Sequence, residues 1–281
     1  MKIEDFKDIK YEKDEKTGIV TLTLNCPYRK NALSFYSFFE IDAALDALEK
    51  DDTAGAMIIT GAIDAENHDP QKEAFSSGGY FNPDAHKDVS PEILQQIDMS
   101  DIAQKKMTLK MFNCSKPIIA AVNGFAIGGA FTMVLSGADL IYASEYAWFK
   151  LPFLELGITA ELASSFILPR LLGFQKAKEI IYFSQKISAI EAHEMGIVNQ
   201  VLPHDQLLNF TREQTLKLVA PGGPAFAVRK MKKILHQPFI DVLSETLDRE
   251  NEALNECFKT ADFGEALMAR GEKRDPVFKG K

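Results

Sequence analysis

Along residues 18–25, GIVTLTLN, the side chains Ile19, Thr21 and Thr23 alternate with Val20, Leu22 and Leu24. That period of two predicts a strand with one buried face. The period then lengthens. In SFYSFFEIDAALDALEKDD, Phe38, Ile41, Leu45 and Leu48 recur at helical spacing behind Ser34, a residue suited to capping. Unbroken apolar runs follow at AMIITG (56–61), KPIIAAVNG (116–124) and ADLIYAS (138–144), each read as a buried strand. Between the last two, GGAFTMVLSG is small and apolar throughout and predicts a buried helix. Strand, helix and strand in this order predict a mostly parallel sheet with right-handed crossovers. From Leu207 onward the pattern is helical only, broken at PGGP and QPF. The polar stretch GAIDAENHDPQKEA (61–74) reads as an exposed loop and residues 90–112 as a helix. Two regions result: a β/α core over residues 1–203 and a helical region over 204–281.

The composition leaves that picture intact and narrows the partners. With 46% hydrophobic and 26% charged residues, the 281-residue chain has the make-up of a soluble protein with a sizeable core. A net charge of −8 argues against a nucleic-acid backbone as partner. Cys26, Cys114 and Cys257 are odd in number and lack metal-ligand spacing, which predicts a reduced, cytoplasmic protein without a metal site. The charged opening MKIEDFKDIKYEKDEK argues against a secretory or mitochondrial leader, and no apolar run reaches the roughly 20 residues of a membrane span.

Candidate chemistry gathers at two glycine pairs and one acid. FSSGGYF (75–81) and NGFAIGGAF (123–131) each place consecutive glycines after a strand signal. Glycine lets backbone N–H groups turn toward a ligand, and the second pair opens the buried helix, where free N–H groups favour negative charge. Two such amides converging on one point would form an oxyanion hole; as single motifs they are equally read as tight strand-to-helix turns. Neither has the spacing of a dinucleotide or P-loop fingerprint. The acid is Glu161, set in GITAELASS beside Leu162, Ala163 and Phe166. Taken from the residues alone it is either a first-turn helix acid, with Thr159 as cap, or a titratable group in a dry pocket.

FSSGGYF, VNGFAIGGAF, ADLIYASEYAWFKLPFLELGI, ISAIEAHEMGIVNQVLP, FGEALMARGEKRDPVFKGK and the earlier LNCPYRKNALS together resemble the crotonase, or enoyl-CoA hydratase/isomerase, superfamily from about residue 17 to the end. The resemblance implies a crotonase-like spiral of β-β-α turns with a C-terminal helical trimerisation region. It also implies an acyl-CoA thioester as substrate, homotrimers or dimers of trimers, and no cofactor, CoA being part of the substrate. By position, Gly79 and Gly129 are the implied oxyanion-hole amides. Contacts to the CoA substrate are implied for Arg29, Lys30, Ala32, Ser77, Gly78, Gly79, Tyr80, Phe81, Gly129 and Phe153. Tyr80 stands where the family usually has an acid, and the chain is one residue longer between Asn123 and Asp139.

The two glutamates of the hydratases align with Thr132 and Phe153, so hydration of the usual kind is not expected. A carboxylate at Glu161 is what Δ3-Δ2-enoyl-CoA isomerases carry, and the expectation is such an isomerase with Glu161 as proton shuttle. Other crotonase chemistries stay open: hydratase-like activity, ring-epoxide phenylacetyl-CoA isomerisation, aryl-CoA dehalogenation, or CoA binding without catalysis. Glu155, His68 and His86 are expected at the surface, His193 in a structural helix, and Lys230, Lys232 and Lys233 on a solvated face or near the CoA phosphates. Phe278 and Lys279 are implied contacts to the nucleotide of a neighbouring subunit.

Overall fold

The computed structural model describes residues 1–66, 68–80, 82 and 89–281. Strands β1 (Ile9–Asp14), β2 (Ile19–Leu24), β3 (Ala56–Gly61), β5 (Ile118–Val122), β7 (Leu140–Ser144) and β10 (Gln200–Leu202) form one sheet in that order. Strands β4 (Ala74–Ser76), β6 (Phe125–Ile127), β8 (Trp148–Lys150) and β9 (Ile187–Ser188) form a second. Among the described residues only the edge pairs β1–β2 and β8–β9 run antiparallel. The remaining pairs are parallel, in registers such as Met57 opposite Ile118 and Ala120 opposite Ile141.

The chain steps from the first sheet to the second and back: β3 to β4, β5 to β6, β7 to β8. A helix follows each step. These are the β-β-α turns of the expected spiral. The helices are α1 (Phe35–Lys50), α2 (Pro91–Leu94), α3 (Lys105–Asn113), α4 (Gly129–Gly137), α5 (Ser164–Leu172), α6 (Phe174–Phe183), α7 (Ala189–Glu194), α8 (Leu207–Leu216), α9 (Ala225–His236), α10 (Ile240–Cys257) and α11 (Ala261–Glu272). Ser34 caps α1 by accepting from the Ser37 amide, in a reciprocal capping box. All nine residues of α4 are buried, as its unbroken small and apolar composition predicts.

The first sheet is covered on both faces. Val20, Leu22, Met57, Ile59, Ala120 and Val122 enter the main core, whereas Ile19, Ile58, Ile119, Ala121 and Tyr142 enter a second cluster beneath α8. β2 is therefore not half-buried. Thr21 lies under α8 and its hydroxyl accepts a 3.3 Å hydrogen bond from Arg212, so a polar alternating position became an inside position. The predicted helix over 90–112 is two helices separated by residues 95–104, with Gln104 at φ +52° just before the second. Leu243, Leu247 and Leu254 of α10 belong to the main core, which ties the helical region into the β/α part. Cys26, Cys114 and Cys257 are free. Among the described residues no helix is long and apolar enough to cross a membrane, and no group of His, Cys, Asp and Glu could hold a metal ion.

Candidate active site

The loop after β4 is stapled to residues 30–33. Ser77 N–H donates to Lys30 O (2.9 Å), Leu33 N–H to Gly78 O (2.8 Å) and Tyr80 N–H to Leu33 O (2.8 Å). Gly78 lies at φ +85°, and a Cβ there would collide with the carbonyl of Ile127. Glycine is required for this approach of the two loops. Gly78 N–H donates to Ser76 Oγ (3.2 Å) and Tyr80 N–H to Leu33 O, and among the described residues the Gly79 N–H between them has no acceptor. The second loop is built likewise. Gly128 N–H donates to Lys150 O (2.9 Å), and Gly129, the first residue of α4, presents an N–H with no acceptor among the described residues. A Cβ on Gly78 would come within 3.6 Å of the Gly129 nitrogen. Two unpaired amides thus belong to loops in contact.

Glu161 reaches the same place from the turn before α5. Its Oε1 lies 2.8 Å from where a Cβ on Gly129 would stand, with Phe38 Cζ 3.8 Å from that point. Gly79, Gly129, Phe153 and Glu161 share one cavity of about 750 Å³, whose wall also includes Ser77, Ile127 and Ile158. Phe153 and Ile158 are buried apolar neighbours, as are Leu162 and Ala163 beside the acid in the chain. Burial, and secondarily the charge of Glu250, push the Glu161 carboxyl up to about 8. Glu161 does not begin the helix: α5 starts at Ser164, and the Glu161 carbonyl accepts from the Ser164 N–H (3.1 Å) and hydroxyl (2.8 Å). Thr159 caps nothing, its buried hydroxyl having no partner. The helix-start reading of Glu161 is corrected accordingly.

The other candidate positions are spread more widely. Arg29 is not in the cavity wall. Its guanidinium pairs with Asp8 at 2.5 Å and stacks 4.6 Å from the centre of the Tyr80 ring. Lys30 borders a separate small depression, Ala32 is buried, and Phe81 and His86 lie outside the described residues. Thr132 is fully buried and its hydroxyl donates to Gly128 O (3.3 Å). Glu155 is exposed as expected, yet it lines the cavity rim, paired with Lys150 at 2.9 Å. His68 is half exposed and pairs with the buried Glu73 at 2.9 Å, and His193 Nδ1 lies 2.9 Å from Val198 O. Lys232 departs from expectation. It is buried and bonded to Asp139 at 2.7 Å, and with Lys230 and Lys233 it borders a different cavity of about 470 Å³. Phe278 lines this chain's own cavity together with Arg270 and Arg274.

One residue beside the site had no signal in the sequence. Glu250 lies mid-way along α10, in a run of charges that reads as a solvated helix face, yet it is buried. Its carboxylate accepts from the Ala163 N–H (2.8 Å) and the Ser165 N–H (3.1 Å), two and four residues beyond Glu161. Only the folded chain brings it there.

The sequence model of the family described as enoyl-CoA hydratase/isomerase matches residues 14–281. The chain is 32% identical over 277 residues to a short-chain-enoyl-CoA hydratase of Clostridium acetobutylicum, covering 96% of this chain and 97% of that one. It is 29% identical to the 1,2-epoxyphenylacetyl-CoA isomerase of Escherichia coli, covering 94% and 96%. A crystal structure of an enoyl-CoA hydratase/isomerase from Pseudoalteromonas atlantica superposes with a TM-score of 0.81 at 26% identity, covering 97% of this chain and all of that one.

Proposed function

The chain belongs to the enoyl-CoA hydratase/isomerase family, and from that premise we propose that it moves the double bond of 3-enoyl-CoA thioesters to the 2-trans position with Glu161 as the only acid–base group. The observation that carries the reading is the placement of one part-buried carboxyl against Gly129, in the cavity that the Gly79 and Gly129 amides border.

The chemistry runs as a 1,3-proton shift. Ionised Glu161 takes a proton from C2, the C2–H bonding pair becomes the C1=C2 bond and the carbonyl pair moves to the thioester oxygen. As C1=O re-forms, the C1=C2 pair becomes the C2=C3 bond and the former C3=C4 pair moves to C4. There it takes the proton back from the Glu161 carboxyl. In the intermediate the charge rests on the thioester oxygen, where two preorganised N–H donors oppose it; one such donor is typically worth about 10²–10³ in rate. A carboxyl held near 8 in place of its usual 4.5 is a stronger base toward a weakly acidic C–H.

The same cavity supports isomerisation over hydration. Hydration needs a water held and activated by a second group, and the positions aligned with the hydratase acids are a buried threonine, Thr132, and an apolar wall residue, Phe153. Among the described residues the other acids lining the cavity, Glu155 and Asp275, are exposed, Glu155 being paired with Lys150. Assembly into trimers is part of the proposal, supported by the exposed apolar side chains of Phe226, Met231, Ile234 and Leu235 on α9.

Incubation with trans-3-hexenoyl-CoA, followed by the absorbance of the conjugated thioester, tests the reading. Wild type is expected to produce the 2-enoyl product, and Glu161→Gln to be slower by about 10²–10⁴ while still binding CoA esters. Hydration of crotonyl-CoA without isomerisation would favour the hydratase reading instead. CoA binding with neither reaction would mark a non-catalytic protein.

A further inference from the structure

Glu161 is followed by two residues in the left-handed backbone region, Leu162 at φ +50° and Ala163 at φ +60°. Neither is a glycine, so this turn is strained and persists only where its surroundings hold it. Ala163 is also the N-cap of α5 and has no side chain that could accept from the helix amides. The acceptor comes instead from α10. The two Glu250 oxygens take the Ala163 and Ser165 amides separately, and the Ser165 hydroxyl donates to Oε1. Helix α10 is itself fixed here: Leu247 and Leu254 are fully buried, and Asn251 accepts from Ala103 N–H (2.7 Å) and donates to Asp101 (2.9 Å). With residue 163 in the left-handed region, the extended backbone of an ordinary side-chain cap is not available there, and the acceptor must come from another element.

We propose that Glu250 is a positioning residue for the reaction, clamping the strained 161–163 turn so that the Glu161 carboxyl stays aimed at the space beside Gly129. The proposal rests on the reading of Glu161 given above. Glu250 also places a second negative charge near Glu161, which favours the protonated form of that carboxyl and so raises its basicity. Among the other charges near the two acids, Lys105 pairs with Asp248 of α10, Lys150 with Glu155 and Arg274 with Glu265, while Arg270 and Asp275 also line the Glu161 cavity. From α5, Glu250 meets amides and a hydroxyl but no cation.

The test is Glu250→Gln, which keeps one acceptor oxygen, turns an amide donor against backbone donors, and removes the charge. We expect kcat to fall by about tenfold to a hundredfold, as for a misplaced reacting group, with KM changed by less than about twofold. The acid limb of kcat/KM is expected to move to lower pH, because a neighbouring negative charge has gone. A purely structural cap would lower thermal stability and leave kcat and that limb where they are, and this result would overturn the proposal. Should Glu250→Gln fail to fold, Glu250→Asp keeps the charge but retracts it by one carbon; a fall in kcat with KM preserved supports the clamp, and wild-type kcat overturns it. A readout independent of turnover separates this proposal from the reading beneath it. Carboxyl carbon NMR of Glu161, assigned by loss of its signal in Glu161→Gln, should titrate at lower pH in Glu250→Gln than in wild type. Amide exchange at Ala163 and Ser165 should quicken in the same variant. If wild type shows no isomerase activity the catalytic reading fails, while an unshifted titration with unchanged exchange removes the clamp.

Discussion

At the residue scale, Glu161 is a part-buried carboxyl facing a cavity walled by Phe153 and Ile158. Because Glu161 must be ionised to take a proton from C2, kcat/KM is expected to rise with pH and level off above about 8, the value to which burial lifts it. A profile of kcat/KM on a 3-enoyl-CoA between pH 5 and 10 checks this. Stability should run the other way. The folded chain holds the Glu161 proton up to about 8 and the unfolded chain releases it near 4.5, so the folded state loses stability as pH rises between those values. Glu161→Gln is therefore expected to melt higher than wild type at pH 9, by roughly 5 °C, with the difference gone below pH 4, as measured by thermal unfolding. Gly129→Ala puts a methyl where Oε1 now lies within 2.8 Å of it, so the carboxyl must move. Its activity is expected to fall about a hundredfold in a variant that still folds. Gly129 thus gives Glu161 room, besides its proposed part as an amide donor.

At the element scale, legibility follows from whether a local pattern decides the outcome. Helix α1 was plain because Ser34 and its apolar stripe sit within the segment itself, and α4 because nothing in it tolerates water. Ser34→Ala is expected to cost about 1 kcal/mol of stability in denaturant unfolding, the usual worth of such a cap. β2 was misread as half-buried because its outer face is covered by α8, more than 180 residues later in the chain. Lys232 was misread for a similar reason: its partner Asp139 begins a different part of the fold. Of the candidate site, Gly79, Gly129, Phe153 and Glu161 were found from the resemblance of short motifs, and the structure brings them to one cavity. The motif gave no sign that Arg29 pairs with Asp8, which lies on a segment with no motif of its own. Glu250 was invisible because a glutamate in an amphipathic helix says nothing of what its neighbours leave unpaired.

At the scale of the whole molecule, the spiral places the ends of three β-β-α turns around one cavity, and the C-terminal helices close it. The last residues fold back on α11 through backbone contacts: Val277 N–H donates to Glu265 (2.9 Å), and Lys279 and Gly280 N–H donate to Asp262 (2.6 and 2.7 Å). That segment contributes Arg274, Pro276 and Phe278 to the cavity wall, remote from Glu161 in sequence but not in space. Removal of residues 273–281 is expected to raise KM for acyl-CoA by about tenfold and leave kcat within about threefold, because it thins the binding wall and spares the reacting groups. Steady-state kinetics on the shortened chain checks that division of labour.

A single-turnover reaction of wild type with 3-enoyl-CoA dideuterated at C2, with the label then located in the product by mass spectrometry and NMR, addresses the proton path itself. If Glu161 carries the proton from C2 to C4 within a dry cavity, a measurable share of the deuterium appears at C4. Product whose C4 hydrogen comes wholly from solvent would contradict the account.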